Sequence, residues 1–166
     1  MVTYHYEAGT VRIALSFVAG QRLPFQAVNT PARKSVVLVD DDKFYTKLLT
    51  QLLAENLACP VISFLDPREA LAALPGINVG TIVTDYEMPE MTGFQFMAEA
   101  VKITPGVPVI LITGHAINAA MSKLISASPV KSVVPKPFSW RQLSDEIVRQ
   151  WPEAGATIAK ANPSSA

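Results

Sequence analysis

At four places in the chain, polar groups stand where an apolar run stops. Asp40, Asp41 and Asp42 follow Val36-Val37-Leu38-Val39, and Asp85 follows Thr81-Ile82-Val83-Thr84. Thr113 closes the run from Val107 to Ile112, and Lys136 comes just after Ser132-Val133-Val134. Carboxylates crowded together repel and drift toward protonation unless a cation neutralises them, and an all-oxygen donor set selects a hard divalent ion such as Mg²⁺. A lysine opposite such a cluster can pair with it at rest and with a phosphoryl oxygen later, while a threonine hydroxyl can hydrogen-bond the same group. These residue types describe a layout for phosphoryl transfer, provided the chain brings the four places together. Asp42 is expected to serve as a helix-start acid rather than a ligand, because acids favour helix N-termini whatever their chemistry. His5 and His115 stand apart from any set of transition-metal ligands.

The elements that would do the positioning are visible in the apolar pattern. The runs above, with Val61-Ile62-Ser63-Phe64, are short, rich in β-branched residues and mostly continuously apolar, as parallel strands covered on both faces are. Helix-length segments separate them. Leu48, Leu49, Leu52, Leu53 and Leu57 form a stripe after the first run, and Leu71, Ala72 and Leu74 a shorter one after the second. Asp66-Pro67-Arg68-Glu69 marks a helix start, and Thr92-Gly93-Phe94-Gln95 and Ser139-Trp140-Arg141-Gln142 have the capping-box spacing. Strand and helix alternating in this way imply an α/β fold, a doubly wound five-stranded parallel sheet with helices on both faces. In such sheets ligands sit beyond the carboxyl ends of the strands, where the four polar places fall.

Composition narrows the function. A chain of 166 residues with 49% hydrophobic and 17% charged residues fits one domain with a sizeable core. Lys+Arg and Asp+Glu number 14 each, so no overall field draws the chain to nucleic acid or to a membrane surface. The single cysteine, Cys59, can form no internal disulfide, which suits a reducing compartment, and a cytoplasmic location is expected. The apolar stretch from Ile13 to Ala19 is far shorter than the ~20 residues a membrane-spanning helix needs. Residues 1–33, with Pro24, Asn29 and Pro31, are expected to be a flexible extension, 34–150 the domain, and 151–166 a short tail without an effector module.

The segments Val39-Asp40-Asp41, Asp85-Tyr86-Glu87-Met88-Pro89-Glu90-Met91-Thr92-Gly93, Ile112-Thr113-Gly114 and Lys136-Pro137-Phe138 occur in order at the expected strand ends. In these the chain resembles the receiver domain of two-component response regulators, the CheY-like type, over about residues 34–150. The resemblance implies a flavodoxin-like sheet with strand order 2-1-3-4-5. It also implies that Asp85 accepts a phosphoryl group from a phosphohistidine on a sensor histidine kinase or a histidine phosphotransfer protein. Asp40 and Asp41 would hold Mg²⁺ with Asp85 and the backbone carbonyl of Glu87, and Thr113 and Lys136 would engage the phosphoryl group. A cis peptide is expected at Lys136-Pro137. The chain would then be a stand-alone phosphorylation-dependent switch that passes its state to a separate, unknown downstream protein. It would not be an enzyme turning over an external substrate, and it would have no direct contact with nucleic acid or membrane.

Three departures bear on that reading. Val133 stands where the family usually carries Tyr or Phe, so the output face must signal without that ring. Thr92 stands where Asp is frequent and caps a helix nearly as well. Glu87 and His115 flank the expected phosphoryl site and are expected to tune the lifetime of the adduct. A haloacid-dehalogenase-like phosphatase is the enzyme alternative, since Asp40 and Asp42 make a D-x-D after a strand. It expects Thr or Val where Phe44 stands and a further acidic pair at a strand end, whereas Asp145-Glu146 falls within a helix pattern, and it leaves Asp85 unexplained. The other alternative, a receiver fold with an unused site, is opposed by the intact set of Asp40, Asp41, Asp85, Thr113 and Lys136.

Overall fold

The computed structural model describes residues 2–8, 11–18, 21–22 and 33–155. The chain divides into two units, 1–33 and 34–166.

In the first unit, β1 (Val2–Ala8) pairs antiparallel with β2 (Val11–Val18), from Val2 opposite Phe17 to Ala8 opposite Val11. β2 also pairs with β3 (Gln21–Arg22). The sequence reading expects a linker here, and the structure instead forms a three-stranded sheet. Its source is a period of two: Val11, Ile13, Leu15 and Phe17 alternate with Arg12, Ala14 and Ser16, a strand signal that the prolines further on obscure. Much of the expected extension, from Leu23 to Ala32, lies outside the described residues, as does the end of the expected tail after Gly155.

The second unit alternates strand and helix: β4 (Ser35–Val39), α1 (Lys43–Asn56), β5 (Val61–Phe64), α2 (Pro67–Ala73) with a 3₁₀ turn at Leu74–Gly76, β6 (Val79–Asp85), α3 (Gly93–Ile103), β7 (Val109–Thr113), α4 (Ala119–Ser126), β8 (Val130–Pro135), α5 (Trp140–Gln150) and a last 3₁₀ turn at Pro152–Gly155. The five strands are all parallel in the order β5-β4-β6-β7-β8, which is 2-1-3-4-5 within this unit. β7 starts two residues later than its apolar run because Pro108 has no N–H to give the ladder; its carbonyl instead accepts from the Ile82 N–H at 3.0 Å.

Every residue of β4, β6 and β7 is buried, as a sheet covered on both faces requires. On one face Val36, Leu38, Val83, Ile110 and Ile112 pack with Leu49 and Leu53 of α1 and Leu143 and Ile147 of α5. On the other, Val37, Val39 and Ile82 pack with Ala70 of α2 and Phe96, Met97 and Ala100 of α3. The stripe read along α1 is narrower than expected. Leu49, Leu53 and Leu57 are buried, but Leu48 points to solvent.

The helix starts fall where their caps predict. Asp42, Asp66 and Asn118 accept backbone N–H bonds at the starts of α1, α2 and α4, while Thr92 and Ser139 form full capping boxes. Behind the sheet's amino end, Trp151 folds under the core, and the Ala58 N–H donates to the Ala154 carbonyl at 2.8 Å. Cys59 is buried beside them, and that burial pushes its thiol above the ordinary range.

Candidate functional site

Asp40 and Asp85 leave the carboxyl ends of the adjacent strands β4 and β6. Thr113 is the last residue of β7 and Lys136 follows β8, so neighbouring strands bring together what the sequence scatters over nearly a hundred positions. Asp40, Asp85 and Thr113 are buried, and Asp41 is exposed at the rim.

Local bonds fix each group. The Asp40 carboxylate accepts the Asp42 N–H at 2.9 Å, and its carbonyl accepts the hydroxyl of buried Thr46 at 3.0 Å. Asp42 turns away from the cluster, its Oδ1 accepting from the N–H groups of Phe44 and Tyr45 at 3.0 Å each. Beyond Asp85, the Tyr86 N–H donates to the Ile112 carbonyl at 2.8 Å, and the Gly93 N–H closes back onto the Tyr86 carbonyl at 2.8 Å. Gly93 is required there, since a Cβ at that position would stand 2.3 Å from the Asp85 carbonyl oxygen. The loop between them passes through Glu90 at φ 64°, a left-handed conformation uncommon outside glycine. The Lys136 N–H donates to the Thr113 carbonyl at 2.7 Å, tying the lysine to the end of the neighbouring strand, and the Lys136-Pro137 peptide is cis, as the resemblance implied.

The electrostatic centre is the Lys136 ammonium, 3.0 Å from Asp85 Oδ1 and 3.3 Å from Asp40 Oδ2. Burial raises the Asp85 carboxyl above its ordinary range, and the hydrogen bond and charge of Lys136 offset only part of that rise. For Lys136 burial acts to lower the value, but the bond to Asp85 and the charge of Asp40 outweigh it and leave the ammonium held charged. Carboxylate oxygens of Asp40, Asp41 and Asp85 all lie within 4.8 Å of one another. Three carboxylates against one ammonium leave a surplus of negative charge, and an all-oxygen donor set fits a hard divalent cation.

The structure separates the remaining candidates. The Glu87 carboxylate is not part of that cluster; it pairs with His115 Nε2 at 2.5 Å, which leaves only its backbone carbonyl for the role the resemblance implied. The Thr113 hydroxyl accepts the His115 N–H at 3.0 Å, so both flanking residues connect at the mouth of the site. Glu146 lies within α5, bonded by Arg149 and Gln150 rather than at a strand end, and Phe44 is 86% exposed; neither supplies what the phosphatase alternative needs. Sequence reading missed Thr46, Tyr86 and Tyr45. Tyr86 packs edge-on against both Phe94 and His115. Tyr45 places its ring 5.7 Å from the Lys136 ammonium. Only the fold brings these contacts together.

Comparison with known proteins agrees with this arrangement. A family model described as the response regulator receiver domain matches residues 36–148. The chain is 31% identical over 114 residues to the response regulator receiver protein CpdR of Brucella abortus, covering 69% of this chain and 93% of that protein. It is 33% identical over 108 residues to the C4-dicarboxylate transport transcriptional regulatory protein DctD of Rhizobium meliloti, covering 65% of this chain but 23% of that protein, so it spans under a quarter of that longer relative. A solved receiver domain protein (CheY-like) from Methanospirillum hungatei superposes with a TM-score of 0.67 at 24% identity, over 74% of this chain and 96% of the other, which speaks for the fold. No helix among the described residues is long and apolar enough to cross a membrane. The match runs from β4 nearly to the end of α5 and takes in all four strand ends of the site: the chain belongs to the response regulator receiver domain family of two-component signalling.

Proposed function

We propose that this chain is a phosphorylation-dependent switch in which Asp85 takes a phosphoryl group from a phosphohistidine on a sensor histidine kinase or histidine phosphotransfer protein. The observation that carries the reading is the partly buried Lys136 ammonium bridging the buried Asp85 and Asp40 inside a cluster of three carboxylates. A carboxylate oxygen of Asp85 forms the new O–P bond while the N–P bond of the phosphohistidine breaks. The electron pair stays on the imidazole nitrogen, which then takes a proton from solvent. Lys136 turns from the Asp85 oxygen to the incoming phosphoryl oxygens, and the Thr113 hydroxyl donates to one of them. Asp40, Asp41 and Asp85, with the backbone carbonyl of Glu87, would hold Mg²⁺, which when bound offsets the carboxylate repulsion and draws negative charge from the phosphoryl oxygens.

The aspartyl phosphate adds charge at one strand end, and its pairing with Thr113 and Lys136 favours a second arrangement of the loop between β7 and α4. A full swing of a two-state equilibrium takes about 5.5 kcal/mol of differential interaction, which several charge-assisted hydrogen bonds can supply. The output is binding of a downstream protein in the cytoplasm rather than turnover of an external substrate, and with Val133 on β8 it proceeds without the usual aromatic ring.

Intact-mass spectrometry after incubation with acetyl phosphate and Mg²⁺ tests the proposal. A single labile phosphoryl adduct on the wild type, lost with Asp85→Asn and with a chelator, is the expected result. An adduct that persists in Asp85→Asn overturns the assignment of the nucleophile.

A further inference from the structure

The Lys136 side chain has a neighbour that the phosphoryl-transfer reading does not use. The Asp42 cap holds the Tyr45 N–H in the first turn of α1, and the half-buried ring of Tyr45 lies with its centroid 5.7 Å from the Lys136 ammonium. Phe138, two residues beyond Lys136, meets the same ring edge-on, with centroids 5.9 Å apart and planes at 80°. Both rings pack against the core under α1 and α5, so the aromatic wall is anchored from behind. Burial and the surrounding carboxylates push the Tyr45 hydroxyl up to about 12 even against the opposing effect of Lys136, so the ring stays neutral at any working pH.

We propose that Tyr45 is a positioning residue whose ring holds the Lys136 ammonium in place for phosphoryl transfer to Asp85. This rests on the receiver reading above. A lysine carries a point charge on a flexible four-carbon stem, and on losing its bond to the Asp85 oxygen it could swing wholly to Asp40, 3.3 Å away. The negative face of an aromatic ring attracts the ammonium without competing for the phosphoryl oxygens, because a ring supplies no proton acceptor of carboxylate strength. The contact therefore biases where the charge sits and leaves its N–H groups available to the phosphoryl group. The adjacent Phe44 provides an internal control, since its side chain is in solvent.

The test compares rates of adduct formation with acetyl phosphate and Mg²⁺, followed by intact mass. Tyr45→Leu is expected to slow the reaction about five- to tenfold, the size of a partly exposed cation–π contact, while Tyr45→Phe and Phe44→Leu stay within roughly twofold of wild type. In a Lys136→Met background, Tyr45→Leu is expected to add nothing; a full additional loss there would mean a merely structural role and overturn the proposal. NMR supplies a readout independent of phosphorylation: ring-current shifts on the Lys136 Cε protons, present in wild type and Tyr45→Phe and lost in Tyr45→Leu. Their absence in the wild type overturns the proposal. A wild type that reacts while Tyr45→Leu reacts equally fast overturns the positioning role alone, whereas a wild type that forms no adduct overturns the receiver reading and the rate claim with it.

Discussion

At the carboxyl end of the five-stranded sheet, neighbouring strands deliver Asp40, Asp85, Thr113 and Lys136 to one edge; at the amino end, Trp151 and the turn at Pro152–Gly155 fold under it with Leu57, Cys59 and Ala154. The first end concentrates like charges that oppose folding until something neutralises them, and the second gathers apolar surface with little left polar. The Trp151 ring lies so close to Gly80, near the start of β6, that a Cβ there would stand 2.5 Å from it. One strand, β6, runs between the two, with Gly80 near its start and Asp85 at its end, buried throughout. Close packing at one end is what allows the other to keep a destabilising but reactive arrangement, as functional sites commonly do.

Mutations can break this contrast. The largest effect on stability is expected from Trp151→Ala, about 3–5 kcal/mol in urea unfolding, because it empties the packing beneath β6. Below the melting range, phosphorylation of that variant by acetyl phosphate should be close to wild type, and a large loss of reactivity would show that the two ends are not separable. Gly93→Ala should do less to stability, about 1–3 kcal/mol, but remove most adduct formation, because its methyl group must displace the Asp85 carbonyl.

The smallest effect, and the one with opposite sign, belongs to Asp85→Asn. Burial holds the Asp85 carboxyl above its unfolded value, so the folded state binds that proton more tightly. Its contribution is fully present below the unfolded value and is lost as pH rises through the folded one. In the presence of a chelator, Asp85→Asn should therefore melt higher than wild type at neutral pH, with the gap closing on acidification through the carboxylate range. A gap that widens on acidification would mean that the ion pair with Lys136 outweighs burial.

The charged end was the more legible from sequence. Its acids, threonine and lysine stand at strand ends marked by apolar runs, and Asp42 reads as a cap because acids favour helix N-termini whatever their chemistry. Val36 to Val39 and Val61 to Phe64 form strands as read, since a continuous β-branched run between helices has few other uses. What escaped was contact made by the fold. Nothing in the spacing of Tyr45 and Lys136 announces that α1 and the segment after β8 meet. Trp151 reads as the start of a tail until the chain is seen to turn beneath the sheet. The hairpin of β1 and β2 was missed for another reason: its alternation is regular, but it lies beside proline-containing sequence that resembles a linker.

The sheltered thiol of Cys59 turns the amino end of the sheet into its own reporter. It is the chain's one cysteine, and only the thiolate reacts, so a thiol reagent reaches it when that end opens and hardly otherwise. The rate of labelling then becomes a clock for local opening. The same protection means that a cysteine introduced on the surface can be tagged selectively while the native thiol is left in place.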